Sequence, residues 1–454
     1  MTDTTANVGG QRLPAAPGQR FFDSFQRAYA IFAIMIYEGA FTSSLRYLRG
    51  GGHLLPGETE ITSTIFQAII LTILCWMWWL RRRHLIQVMR DILPYLLILL
   101  LCALSAFWSD YQFPTLRRSV TLTSCVFFGA YCYLAFGVRG TIELVGRATV
   151  LVGLISLVVF FIAPSVGHET AQGYENAMRG VFSQKNSLGE AMLLAVSCYV
   201  YLLIDNPKSF VAPLSRLAFL FLCIVMSRSA TSLVIAMIIM AMGALFWSAA
   251  NWRRRVVVIY VLTAVTCLIT ALAVVDTAQL LGYLDRDPSF TGRIPLWAAS
   301  FQAALQRPLL GYGYSGFWNQ DAIIVQYIWA SIDWQAPSAH NGYIDIMLQI
   351  GLVGLVLYAW VWGSIIVFSL LAWREGTLPE ARWILLFMLI NILLNLDEGP
   401  LPYPDQFTVL MPGAILSLRN WRRERAFRLA SQRQRGRVPA PTFGGARGFP
   451  RRGS

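Results

Sequence analysis

Charge is scarce in this chain. Of 454 residues only 13% are Asp, Glu, Lys or Arg and 56% are hydrophobic, whereas a soluble protein of ordinary composition carries about 25% charged residues. That balance excludes a water-soluble globular enzyme of this length and points to a polytopic membrane protein. Lysine is scarcer still: of 37 basic residues only Lys185 and Lys208 are lysine, so arginine supplies nearly all of a net charge of +13. There are four histidines, His53, His84, His168 and His340, far apart in sequence, and seven cysteines without a Cys-x-x-Cys pair. This pattern excludes a zinc cluster and a disulfide framework, so no metal site and no cofactor are expected. The apolar runs lack the in/out alternation of barrel strands, which leaves helices as the spanning element. No cleavable signal is expected ahead of the first apolar run, no internal repeat is evident, and the scattered arginines form no nucleic-acid recognition motif.

What is present is a series of apolar runs near the roughly 20 residues needed to cross a hydrocarbon core. They predict about twelve spans, at 24–43, 61–80, 91–108, 115–137, 148–163, 187–205, 212–227, 230–249, 256–275, 342–371, 382–396 and 404–418. The junction near Ser227 to Ala230 is almost too short for a turn. Basic residues at Arg81–Arg83, Arg90, Arg139, Arg147, Lys208, Arg216, Arg253–Arg255, Arg374, Arg382 and beyond Arg419 fall at every second inter-helix segment, marking those as cytoplasmic. The expected organisation is a cytoplasmic segment 1–20, a membrane domain 21–418 and a basic, disordered cytoplasmic tail 419–454 drawn to anionic headgroups. Two loops face outside, near 164–186 and 276–340, and the second is far longer than a connector requires. Within it a helix is predicted from Pro295 to about Gln306, and Phe317–Ala330 is apolar enough to lie on the membrane surface.

His340-Asn341-Gly342 opens the run that contains Gly351 and Gly354. At about 100° per residue both glycines return to within roughly 40° of the direction of His340. Another helix can then pack closely beneath the histidine and hold it at the outer end of its span. The outer face also carries arginines that break the positive-inside pattern: Arg117, Arg118, Arg179, Arg228, Arg293 and Arg307, together with Lys185. Guanidinium groups converging from separate loops suit a diphosphate, whose oxygens their planar fork matches. Snorkelling toward headgroups is the competing use.

Three polar motifs hold the central cations: Arg179-Gly180-Val181-Phe182-Ser183-Gln184-Lys185-Asn186, Ser227-Arg228-Ser229-Ala230-Thr231-Ser232 and Thr291-Gly292-Arg293-Ile294-Pro295-Leu296-Trp297. With His340-Asn341 and its glycines, and with Ser105-Ala106-Phe107-Trp108-Ser109-Asp110 ahead of Arg117-Arg118, the chain resembles the O-antigen ligase and polymerase superfamily over most of residues 100–400. The first motif is most similar to the branch that polymerises exopolysaccharide of the succinoglycan type. The resemblance implies a helical bundle of the GT-C kind in the bacterial inner membrane. It also implies metal-independent, inverting glycosyl transfer on the periplasmic side from an undecaprenyl-pyrophosphate-linked glycan.

In that setting Arg228 and Arg293 are the first choices to stabilise the leaving diphosphate, followed by Arg179 and Lys185, with Arg117 and Arg118 as further donor contacts. His340 suits two roles, base for the acceptor hydroxyl or orienting group. Asn341 can cap its helix or bind sugar. Tyr312 and Tyr314 can stack on sugar rings or sit in an interfacial belt, and Asp397-Glu398 can meet sugar hydroxyls. The acceptor is either a second lipid-linked glycan or a lipid A core sugar. Other polysaccharide-assembly proteins are candidate partners. The rival class is a flippase for the same lipid-linked sugars, which predicts two related halves and charged groups at the bilayer midplane.

Overall fold

The structure is a computed structural model that describes residues 7–8, 11–12, 17–41, 44–46, 61–170, 174, 176–206, 210–248, 293–399 and 403–435. The expected span 256–275 lies outside these residues, as do 276–292 of the long loop and the last part of the tail. Apart from a two-residue strand pair, Asn7–Val8 with Arg12–Gln11, the described elements are helical. In order they are α1 (Pro17–Tyr37), α2 (Ile61–Leu80), α3 (Arg82–Asp91), α4 (Leu93–Leu104), α5 (Gln112–Ile162), α6 (Lys185–Asp205), α7 (Val211–Ser227), α8 (Ala230–Ser248), α9 (Arg293–Gln306), α10 (Ile323–Ile332), α11 (Gly342–Glu375), α12 (Ala381–Asp397) and α13 (Gln406–Arg435).

Five of these, α2, α5, α6, α8 and α11, are long and apolar enough to cross a membrane. A sixth is reached if α3 and the helix after it, which bend by 89°, form one span. Twelve spans were expected, and α7 and α12 reach only 17 residues each. The central helix is α6, apolar all round and buried along most of its length between α5, α7, α8 and α12, as a helix without a polar face must be.

The spans expected at 115–137 and 148–163 join into one helical stretch, α5, broken at Gly137 (φ 69°). Residues 138–147 stay helical because Glu143 pairs with Arg139 and Arg147 one turn to either side, at 3.4 and 3.3 Å. The short Ser227 junction is resolved by Arg228, which takes a left-handed conformation (φ 51°) and lets α8 start two residues later. The tail does not become irregular at 419. Instead α13 continues to Arg435, buttressed by Arg423 on Asp91 (3.0 and 2.5 Å), Arg425 on Glu375 (2.6 Å) and the buried Trp421 on Thr377 (2.8 Å).

The helix below His340 differs from expectation in a way that matters for the site. At Gly351 (φ 65°, ψ −166°) α11 breaks, and what enters the break is loop backbone, where a packing helix was expected. Leu352 N donates to Pro308 O at 2.8 Å, Tyr312 N to Leu348 O at 2.7 Å and Gly313 N to Gln349 O at 2.9 Å. Donors and acceptors freed by the break are thus paired by the segment 308–313, which fixes the long loop onto the span. Within Phe317–Ala330, Ile323 and Tyr327 stay exposed, as a segment on a membrane surface needs, while the other large apolar side chains turn inward. Phe317, Trp318, Val325, Ile328 and Trp329 are buried with Leu296, Ala303 and Tyr312 in a small core of the loop's own, because α9 packs on both α10 and α11.

Candidate functional site

Glu398, just beyond α12, is the hub of the polar cluster on the described surface. Its Oε2 lies 2.9 Å from Nδ1 of His340, and its Oε1 accepts from Arg293 Nη2 at 2.9 Å and from Asn186 Nδ2 at 2.7 Å. Its carbonyl accepts from Gly342 N at 3.2 Å. One carboxylate therefore ties together the starts of α6, α9 and α11 at the end of α12. Burial alone raises the proton affinity of Glu398, but the hydrogen bond from His340 and then the guanidinium of Arg293 outweigh it. The carboxyl is held below the usual carboxylate range and is ionised at neutral pH. Its neighbour Asp397 pairs with Arg293 and accepts from the hydroxyl of Thr231, the first turn of α8.

His340 is 6% exposed and adopts φ 47°, an uncommon conformation for a residue with a β-carbon. Its ring stacks on Trp334 at 5.0 Å between centroids with 27° between planes. The backbone before it is held by Asp345, whose Oδ1 accepts from Ala339 N at 3.1 Å and from Trp318 Nε1 at 2.8 Å. With Nδ1 facing Glu398, the other ring nitrogen, Nε2, is buried without a hydrogen-bond partner among the described residues. An ionised carboxylate on Nδ1 favours the tautomer that carries its proton there and leaves the Nε2 lone pair free. Asn341 caps α11, its Oδ1 accepting from Tyr343 N at 3.1 Å and Ile344 N at 3.2 Å, while its Nδ2 donates to Leu396 O at 3.3 Å. Asn341→Ala is expected to lower stability by about 1 kcal/mol, read as a drop in the midpoint of thermal unfolding. An unchanged midpoint would show that the cap contributes nothing.

Two cations, Arg293 and Lys185, border this pair, and Arg228 adjoins the second. Lys185 opens α6, where its backbone N donates to Glu169 at 2.8 Å, and its Nζ reaches the carbonyl of Arg228 at 3.3 Å and lies 4.2 Å above the Tyr174 ring. Close approach of α6 to α8 makes this contact possible: a β-carbon on Gly189 would stand 2.5 Å from Ser232 Oγ and 3.0 Å from Ser229 Cβ. Arg228 is exposed, and its guanidinium makes no hydrogen bond among the described residues. Arg293, by contrast, is spent on two carboxylates and is 16% exposed.

Of the residues singled out from sequence, His340, Arg293 and Asn341 meet in this one place, Lys185 stands next to the Asn186 that bonds Glu398, and Arg228 adjoins Lys185 through its backbone carbonyl. Arg179 does not face it. At 1% exposure its Nε donates to Val166 O at 2.9 Å and its Nη2 to Ser165 O at 3.3 Å, which makes it a brace of the 164–186 loop. Arg118 donates to Ser315 O at 2.7 Å, and Arg117 reaches Thr64 at 3.4 Å; both lie at the start of α5 beside the broken part of α11. Tyr312 is 8% exposed, its hydroxyl donating to Ala303 O at 2.9 Å, and Tyr314 is 0% exposed, so neither offers a ring face to a sugar in this structure. The sequence motifs contain Asn186 and Thr231 without assigning either a role, give Glu398 only a peripheral one and leave out Trp334. An acidic pair ending an apolar span was the one available signal for Glu398. Trp334 had none.

Residues 216–359 match the family model described as O-antigen ligase. That stretch includes Arg228, Arg293 and His340 and ends before Glu398. The chain is also similar to the exopolysaccharide production protein ExoQ of Rhizobium meliloti (strain 1021), at 28% identity over 147 residues, covering 31% of this chain and 34% of that protein. The match thus spans about a third of the relative's length.

Proposed function

From a chain that carries the signature of the O-antigen ligase and polymerase superfamily, we propose a membrane glycosyltransferase that extends polysaccharide on the extracytoplasmic side, using a glycan on undecaprenyl pyrophosphate as donor. The observation that carries this reading is the His340–Glu398 pair with Arg293 on the carboxylate and Lys185 and Arg228 adjoining each other nearby. The acceptor hydroxyl attacks the anomeric carbon as the bond from that carbon to the phosphate oxygen breaks. His340 Nε2 takes the hydroxyl proton, Glu398 stabilises the imidazolium that forms, and lipid diphosphate leaves. Attack opposite the leaving group inverts the anomeric centre.

The cations divide the remaining work. Arg228, exposed and unengaged, and Lys185 beside it contact the diphosphate and stabilise the charge that develops on it, without a metal. Arg293 holds Asp397 and Glu398 in place and keeps the buried Glu398 carboxylate compensated. The exopolysaccharide relative favours polymerisation, with a second lipid-linked glycan as acceptor, over ligation to a lipid A core sugar.

The test is transfer by the purified full chain in excess chelator, with products identified by mass. Lengthened lipid-linked glycan is the expected product, and a requirement for divalent cation contradicts the role given to Arg228 and Lys185. Arg228→Gln is expected to raise the donor KM by roughly 10-fold, the loss of one charge-assisted contact. An unchanged KM would remove Arg228 from the diphosphate site.

A further inference from the structure

A second feature lies at the other end of α11, on the order of 35 Å along that helix from Gly342. Between α11, α13 and the first turn of α4 runs a crevice of about 240 Å³, lined by Trp360, Ile365, Phe368, Ile415, Arg419 and Arg422 among others. Its lining is graded. Trp360 and Ile365 on α11 and Ile415 on α13 make one end apolar. Two turns on, Arg419 and Arg422 bring cations, with Arg422 held 4.1 Å above the Phe368 ring.

The other arginines in the same helical turns are neutralised: Arg423 pairs with Asp91 and Arg425 with Glu375. Arg419 and Arg422 have no carboxylate partner among the described residues, and both face the crevice. Ile415, Leu418, Arg419 and Arg422 share one face of α13, spaced by three or four residues. Trp360 is 52% exposed, so the apolar end opens to the outside of the helical bundle.

We propose that this crevice is a binding site for one anionic glycerophospholipid of the adjoining leaflet, with its acyl chain along Trp360, Ile365 and Ile415 and its phosphate on Arg419 and Arg422. Apolar burial and charge act at opposite ends of the same ligand, which selects an amphiphile over a free anion or a neutral lipid. This differs from diffuse attraction of a basic segment to a charged surface, because two particular arginines and a shaped apolar channel are needed together.

Native mass spectrometry of the purified full chain, titrated with phosphatidylglycerol or phosphatidylcholine of equal chain length, reads the site directly. One phosphatidylglycerol should bind in preference to phosphatidylcholine. Arg419→Gln with Arg422→Gln should weaken that binding by roughly 25-fold, taking about five-fold for each arginine near a headgroup. Ser364→Trp, which fills the crevice and keeps both arginines, should weaken it as well. Arg83→Gln with Arg428→Gln removes the same charge outside the crevice and should change affinity less than about two-fold. Equal binding of the zwitterionic lipid, an equal loss in the charge-matched control, or full retention by Ser364→Trp overturns the proposal.

Discussion

Replacing His340 by alanine is expected to lower kcat by about 10²–10⁴-fold while the donor KM stays within a few-fold of wild type. The imidazole is buried, its Nδ1 is 2.9 Å from an ionised carboxylate, and its Nε2 has no other partner among the described residues. Its removal therefore takes away a proton acceptor and leaves the diphosphate contacts of Arg228 and Lys185 in place. Glu398→Gln provides the companion measurement. It keeps the shape of the hub but removes the charge that fixes the tautomer of His340 and compensates Arg293. Turnover should fall by roughly 10²–10⁴-fold, the upper end being the cost of the same carboxylate-to-amide change in a serine-protease triad. Steady-state kinetics on the purified enzyme checks both. If His340→Ala turned over at near wild-type rate, the base assignment would be wrong, and a rise in KM alone would reduce the histidine to a binding group.

Gly351→Ala should be the most damaging small substitution for the fold. At φ 65° and ψ −166° this residue sits where only glycine is commonly found. An added β-carbon would come within 2.2 Å of Leu309 O and 2.3 Å of Leu309 C. Both are backbone atoms, so no side-chain rotation relieves the contact. Either the 308–313 segment withdraws from α11, breaking the hydrogen bonds it makes there, or α11 straightens and carries its first two turns away from Glu398. A loss of roughly 3–5 kcal/mol is expected, with a matching fall in melting temperature. Gly363→Ala in the same helix meets nothing within 4 Å and should be neutral or stabilising by up to about 1 kcal/mol. Equal melting temperatures for Gly351→Ala and wild type would show that the break is dispensable.

The apolar runs were legible because hydropathy is a local property. The runs at 61–80, 187–205 and 230–249 lie on Ile61–Leu80, Lys185–Asp205 and Ala230–Ser248. Arg293, Lys185 and Arg228 could be picked out as cations on the wrong side of the charge pattern, and His340 by the polar stretch that opens its span. What the sequence concealed depends on partners far along the chain. Gly351 reads as a small residue for helix packing, and only the carbonyls of Pro308 and Leu309 reveal it as a break. Glu398 reads as an ordinary loop acid until His340, 58 residues away, and Asn186, 212 residues away, are seen to share it. Tyr312 and Tyr314 read as available for sugars because composition cannot say that Tyr312 joins Phe317 and Trp329 in a core of the loop, or that Tyr314 enters the main core.

Single-turnover transfer, with binding measured separately, tests the central claim most directly. Wild-type protein, mixed with a stoichiometric amount of glycan on lipid diphosphate and an excess of acceptor, should convert the donor and release lipid diphosphate. His340→Ala should bind the same donor with unchanged Kd and convert it about 10²–10⁴-fold more slowly, and Arg228→Gln should bind it roughly 10-fold more weakly. Donor conversion by His340→Ala at the wild-type rate, or wild-type donor affinity in Arg228→Gln, would contradict the account.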